Sequence, residues 1–316
     1  MSVFTPLERH ELEAFLAPYR LGRLLGFQGI AAGSENSNFF VSLEQGEFVL
    51  TLVERGPVDD LPFFVSLLEV LHQAGLPVPY AIADSEGCTL RRLADRPALL
   101  QPRLPGAHID QPNLHHCAEV GRLLARLHRA TREQILERPS DRGLAWMLRE
   151  GALQALSLPE TQLPALRAVL QEAEALLDRL EELPRANLHA DLFLDNVLFD
   201  GPHLSGVIDF YNACSGPMLY DLAITLNDWC STPEQQLDLA RARALLAAYS
   251  ALRPFTLAEA ALWPQMLRIA CLRFWLSRLV AVQEHAGREV LIKNPDEFYQ
   301  RLLARQQPAL ALPMTF

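Results

Sequence analysis

The stretch NLHADLFLDNVLFDGPHLSGVIDF, residues 187–210, decides the fold. Two short apolar runs of β type, at 197–199 and 206–208, flank a polar turn that carries Gly201. Ahead of the first run stands the pattern His189-x-Asp191-x-x-x-x-Asn196, and Asp209 closes the second run, thirteen residues after Asn196. A hairpin built on these runs returns Asp209 towards the loop that holds Asp191, so one local segment assembles a base and a set of oxygen ligands. Transfer of a phosphoryl group to an alcohol needs a carboxylate beside the hydroxyl, hard oxygen ligands for magnesium and donors around the phosphates. The expected roles are Asp191 as catalytic base and Asn196 and Asp209 as ligands of Mg2+. His189 is expected to order the loop through hydrogen bonds rather than to exchange protons. Any one of these residues alone in a loop would read as a cap or turn residue; their order, intervals and flanking strands together carry the chemistry. Asp195, next to Asn196, reads equally as a solvated loop acid.

Outward from this segment, composition bounds the rest. The chain has 316 residues, half of them apolar and 21% charged, with mean hydropathy near zero, as in a packed globular enzyme of one catalytic unit. No apolar run reaches the roughly 18 residues of a membrane span. The opening MSVFTPLERHELE carries acids where a secretory leader needs a basic start, so a cytoplasmic location is expected. Five cysteines without CxxC spacing read as reduced thiols. A net charge of −10 argues against a broad nucleic-acid footprint and for a small-molecule partner. Lys293 is the only lysine in the chain.

The first hundred residues alternate in short apolar segments, whereas the rest is mostly long helical periodicity. The reading is α+β with two lobes: a β-rich nucleotide-binding lobe over 1–104 and a helical lobe over 105–316 that carries the catalytic loop. Phe39, Val41 and Leu43 alternate before a turn at Gly46, which makes a hairpin with the run 48–53, and 21–30 supplies another strand. Helical spacing over 60–74 ends at Gly75, and QPRLPG, residues 101–106, reads as a hinge. Further helices are expected over 113–130, 162–182, 233–249 and 256–285, the third opened by Thr232 and Pro233 and the fourth by a Thr256/Glu259 capping box. GIAAGSENSNFF, residues 29–40, offers backbone amides at Gly33 and polar side chains at Ser34, Asn36 and Asn38 to phosphate; by itself it reads as readily as a polar turn.

In this order the motifs resemble the aminoglycoside phosphotransferase-like branch of the protein kinase fold, and the resemblance covers most of the chain. It implies that ATP is clamped by the two lobes, that Asp191 is the base, that Asn196 and Asp209 bind magnesium, and that the hinge around Gln101 to Leu104 meets adenine. That branch usually carries a phosphate-binding lysine on the strand after the hairpin turn, where FVLTLVE has Thr51. GSENSNFF, EFVLTLVE, HADLFLDNVLF, GVIDFYNAC, LNDWC and LRFWLSRL are similar to the bacterial homoserine kinases of this type, a group in which the lysine is also absent. The resemblance implies L-homoserine as acceptor. Its carboxylate calls for an arginine and its ammonium for an acid, for which Asp228, Arg273 and Arg278 are candidates, while Tyr211 and Asn212, close after Asp209, read equally as lining the acceptor site or shaping the loop. Arg268, Arg273 and Arg278 recur every five residues on one helix and so cannot all face one pocket. Trp229 and Trp275 are expected in the core, and Asp221 is expected to brace the catalytic loop. A choline, methylthioribose or aminoglycoside kinase would share the same catalytic set, and a non-catalytic binding module of kinase shape is the alternative of another class.

Overall fold

The computed structural model describes residues 5–30, 36–54, 58–284, 293–306 and 310–314. The chain divides into two compact units, Met1–Gly106 with Ser205–Ile208, and Ala107–Leu204 with Asp209–Phe316.

The first unit begins with helix α1 (Arg9–Leu16). A five-stranded antiparallel sheet follows, made of β1 (Leu24–Gly29), β2 (Ser37–Leu43), β3 (Gly46–Leu52), β4 (Arg91–Leu93) and β5 (Arg96–Pro102), in the order β1-β2-β3-β5-β4. The alternation in β2 does what a period of two requires: Phe39, Val41 and Leu43 are buried while Asn38, Phe40 and Ser42 are less so. Leu43 pairs with Gly46 across the tight turn, fixing a register in which Asn38 opposes Thr51. The core gathers Leu12, Phe15 and Tyr19 from the N-terminal segment with Phe39, Val41, Leu50, Leu52 and Leu100 of the sheet. Helix α2 (Leu61–Gln73) buries Leu61, Phe64, Leu67, Leu68 and Leu71, one apolar stripe, and ends before Gly75, whose φ of 74° suits glycine.

The second unit contains α3 (Leu114–Thr131), α4 (Leu144–Gln154), α5 (Leu163–Leu177), strands β6 (Arg185–Leu188), β7 (Val197–Asp200) and β9 (Cys214–Pro217), the start of β8 (His203–Val207), whose residues 205–207 count with the first unit, and helices α6 (Met218–Trp229), α7 (Leu239–Ser250), α8 (Leu257–Glu284) and α9 (Pro295–Ala304). β7 and β8 form a hairpin through Gly201, and β8 stops at Val207, two residues short of Asp209. β9 pairs with β6. Helix α3 is capped by Asn113, whose side chain accepts the His116 N–H, and buries Val120, Leu123, Leu124 and Leu127. Helix α8 opens with the expected capping box, Glu259 N–H to Thr256 Oγ1 at 3.2 Å and Thr256 N–H to the Glu259 carboxylate at 2.9 Å. Trp229, Trp263, Trp275, Tyr249 and Phe298 fill the interior, and four of the five cysteines are buried free thiols.

Three sequence expectations need correction. Helix α7 starts at Leu239 rather than Pro233, because Asp238 takes the Ala240 and Arg241 N–H groups and also pairs with the Arg241 side chain, a stronger cap than Thr232. Helix α5 ends at Leu177, and 180–182 form a separate 3₁₀ turn. Helices α1, α4 and α9 lie outside the expected set. Among the described residues no helix is long and apolar enough to cross a membrane.

Candidate active site

Asp191 sits on the loop between β6 and β7, and the loop is shaped largely by acceptors supplied from elsewhere. The buried Asp221 carboxylate receives the His189 and Ala190 N–H groups, each at 2.8 Å. Ala190 is thereby held at a φ of 60°, a left-handed conformation that an alanine adopts only under such constraint. Asp228 Oδ2 accepts the Leu194 N–H at 2.9 Å, and the Trp229 indole N–H donates to Leu192 O at 3.1 Å. Asn196 closes the loop from inside, its Nδ2 donating to Asp191 O at 2.8 Å. The fully buried His189 receives the Asp191 N–H on Nδ1 at 3.2 Å and packs its ring on Phe210, a loop-ordering part as expected.

Behind Asp221 lies His128 of α3. Burial would raise the Asp221 carboxyl, but the His128 hydrogen bond and the backbone donors hold it below the usual range. Burial pushes His128 down, against the pull of Asp221. The pair is therefore an ionised carboxylate and a neutral imidazole, with Nε2–H donated to Asp221 at 3.1 Å and Nδ1 accepting the Tyr249 hydroxyl at 2.8 Å.

The Asp191 carboxyl is pushed up to about 7, first by burial and then by the charges of Asp209 and Asp195, while Arg273 and Lys293 pull it down. A carboxylate so placed titrates near neutrality, where a general base works best. Its Oδ2 accepts a hydrogen bond from Asn212 Nδ2 at 3.1 Å, and the other end of that amide, Oδ1, accepts from Arg273 Nη2 at 3.0 Å. Asp209 is exposed and adopts a left-handed conformation, φ 64° and ψ 63°, at the head of the turn Phe210–Asn212, which also carries the half-buried Tyr211. With Nδ2 of Asn196 spent on Asp191 O, its amide oxygen is the end left for a metal. That oxygen and the Asp209 carboxylate are hard donors that suit Mg2+. Lys293 pairs with Asp195 at 2.6 Å, both half exposed.

Not every expected site residue is placed at this site. Asp228 braces the loop instead: Oδ2 holds Leu194 and Oδ1 pairs with Arg301 at 3.2 Å, so both oxygens are taken. Arg268 is occupied by Glu172 and Arg278 by Glu297, leaving Arg273 as the one of the three that reaches the Asp191 loop network. In the first unit Gly33 and Ser34 lie outside the described residues. Asn36 Oδ1 accepts the Glu54 N–H at 3.1 Å, and Asn38 Oδ1 accepts the Thr51 hydroxyl at 2.7 Å, so only their NH2 ends could serve phosphate. Gln101 donates its side chain to Pro79 O at 2.7 Å, and Leu104 follows the end of β5. Sequence reasoning missed His128 and the bridging role of Asn212. A histidine on the apolar stripe of α3, in register with Leu124 and Thr131, was a signal for the first; the place of Asn212 three residues after Asp209 marked it for the acceptor site or the loop, but not for a bridge to Arg273.

A β-rich unit followed by a helical unit, with the HxDxxxxN loop and a later aspartate converging on one carboxylate, defines a phosphotransferase of protein kinase-like fold. The chain belongs to the phosphotransferase enzyme family, whose model matches residues 26–255. It is 68% identical over 313 residues to the homoserine kinase of Pseudomonas aeruginosa strain LESB58, with 99% of each chain covered. It is 43% identical to the homoserine kinase of Methylobacillus flagellatus, over 96% of this chain and 94% of the relative. Among solved structures it resembles an amicoumacin kinase complexed with AMP-PNP, Ca2+ and Ami, with a TM-score of 0.69 at 15% identity, covering 95% of this chain and 93% of the other. A spectinomycin phosphotransferase complexed with ADP and spectinomycin gives 0.65 at 12% identity, with 96% of both chains covered. These two likenesses bear on the fold alone.

Proposed function

We propose that Asp191 is the base, and Asn196 and Asp209 the magnesium ligands, of an ATP-dependent kinase acting on L-homoserine. The kinase activity on homoserine and its place in threonine biosynthesis follow from full-length identity to homoserine kinases; the division of labour among residues is our reading. The observation that carries it is the Asp191 carboxylate, fixed on a pinned loop and held near neutrality.

Asp191 orients the homoserine hydroxyl and accepts its proton as the bond to phosphorus forms, giving O-phospho-L-homoserine and ADP. Bound Mg2+ would neutralise phosphate charge beside Asn196 and Asp209. Positioning and charge neutralisation supply most of the acceleration in such a reaction. Asn36 and Asn38 would offer their amide N–H2 groups to the phosphates, with Gly33 and Ser34, and Gln101 and Leu104 would meet adenine. Thr51 is buried and bonded to Asn38, which supports its reading as a structural residue in place of the family's lysine. Tyr211 remains our candidate at the acceptor side. We place the reaction in the cytoplasm and assign no nucleic-acid partner.

The test is ADP release with ATP and Mg2+ against L-homoserine, choline, methylthioribose and kanamycin, with the product identified. Preferential formation of O-phospho-L-homoserine is expected. Preference for another acceptor would overturn the substrate and keep the base.

A further inference from the structure

We propose that Asn212 and Arg273 act as one positioning pair on Asp191, so that Arg273 serves the base through an amide instead of holding the carboxylate of the substrate. This rests on Asp191 being the base, as argued above. The hydrogen-bond chain runs from Arg273 Nη2 to Asn212 Oδ1, 3.0 Å, and from Asn212 Nδ2 to Asp191 Oδ2, 3.1 Å.

An amide between a guanidinium and a carboxylate has one workable orientation. Turned over, Nδ2 would face the Arg273 donor and Oδ1 would face the Asp191 acceptor, two repulsive contacts. The cation drawing on Oδ1 makes the amide N–H a stronger donor to the carboxylate. Asn212 therefore fixes Oδ2, and among the described residues no hydrogen bond reaches Oδ1, the oxygen left to meet a hydroxyl.

Arg273 is buried on α8 with its guanidinium carbon 3.8 Å from the centre of the Phe274 ring. A buried cation is tolerated when an opposite charge compensates it. Asp191 is the group whose negative charge most supports the Arg273 cation against burial, while Arg142 opposes it. The placement accounts for an arginine inside the helix without requiring a substrate anion, and it makes the arrangement ready before substrate arrives.

The experiment is steady-state kinetics of Asn212→Leu, Arg273→Met, Arg273→Lys and the Leu/Met double variant. The acceptors are L-homoserine and 3-amino-1-propanol, which is homoserine without its carboxylate. Loss of positioning is expected to lower kcat by about 10- to 100-fold in either single variant. The KM for homoserine should stay within about 3-fold, since ground-state binding is untouched. The double variant should be no more than about 3-fold worse than the poorer single one, because both act through one chain of contacts. Arg273→Lys, which keeps a donor for Asn212 Oδ1, should recover part of kcat. In Arg273→Met the preference for homoserine over 3-amino-1-propanol should be unchanged.

A large rise in KM for homoserine in Arg273→Met, with that preference lost, would overturn the proposal and assign Arg273 to the substrate carboxylate. Unaltered kcat in Asn212→Leu, or fully additive losses, would also overturn it. Calorimetric ATP binding identifies folded variants; if Arg273→Met does not fold, the KM and kcat of Asn212→Leu and Arg273→Lys decide. Failure of the wild-type protein to phosphorylate homoserine would instead strike the substrate assignment.

Discussion

Replacing Asp191 by asparagine should abolish turnover and stabilise the protein, and the size of the gain should depend on pH. The Asp191 carboxyl rises from 3.8 to about 7 on folding, chiefly through burial. An acid whose pKa is raised binds its proton more tightly folded than unfolded. It therefore costs nothing below about 3.8, costs more as pH rises towards about 7, and costs a constant amount above. At about 1.4 kcal/mol per pKa unit the full cost is about 4 kcal/mol, of which about 1.6 kcal/mol has developed by pH 5. Asp191 keeps some contact with solvent, and screening reduces these figures to roughly half. The asparagine carries no charge and can still accept from Asn212, so Asp191→Asn is expected to gain about 2 kcal/mol at pH 8 and about 1 kcal/mol or less at pH 5. Urea unfolding of both proteins at the two pH values, without nucleotide and with chelator, measures the difference, while kcat should fall by about 10³-fold or more. A variant no more stable than wild type at pH 8, or a gain that does not shrink at pH 5, would refute the claim that burial of this carboxylate sets its pKa.

Other perturbations follow from the same geometry. Asp221→Ala leaves the His189 and Ala190 N–H groups and the His128 ring N–H without their acceptor, which at about 1–3 kcal/mol each should cost about 3–9 kcal/mol by urea unfolding. His128, whose folded pKa is depressed, contributes stability that is complete above its ordinary 6.5 and is lost as pH falls towards the depressed value. In the Asp191→Asn background, where the opposing titration is absent, melting temperature should fall from pH 7 to pH 5, and His128→Gln should flatten that slope. Thr51→Lys forces a charge into a buried position and breaks the bond to Asn38; a loss of about 1–3 kcal/mol with no tighter ATP binding is expected, read by urea unfolding and calorimetry. Gly121→Ala should cost about 1–3 kcal/mol in urea, because a Cβ there overlaps the Leu245 carbonyl of α7.

Elements governed by local rules were legible in the sequence. The alternation of Phe39, Val41 and Leu43, the glycine after α2 and the Thr256/Glu259 box each fix their own segment, and all three occur as read. The start of α7 was not legible, because Thr232 and Asp238 are both permissible caps and the choice rests on Arg241, whose guanidinium ties Asp238 to Trp229 O and Ser231 O. The reactive residues were legible as a constellation, since Asp191, Asn196 and Asp209 lie within nineteen positions of one another. Their support was not. His128 stands 93 residues from Asp221, and Arg273 stands 61 from Asn212, so these contacts exist only once helices α3, α6 and α8 have packed.

That support has an order of its own, centred on α6. Asp221, Asp228 and Trp229 are spaced at i, i+7 and i+8, which places them on one face of the helix. Asp221 holds residues 189 and 190, Trp229 holds 192, and Asp228 holds 194. A loop with few regular backbone bonds is thus templated by one face of a rigid helix, with Asp191 at the position left free to meet substrate. The same arrangement explains how the left-handed Ala190 is tolerated: two N–H groups aimed at one buried carboxylate are worth more than the roughly 1–2 kcal/mol that an L-residue loses in that conformation. Since those bonds exist without ligand, the base is oriented before substrate binds, and binding need not supply the free energy to order it.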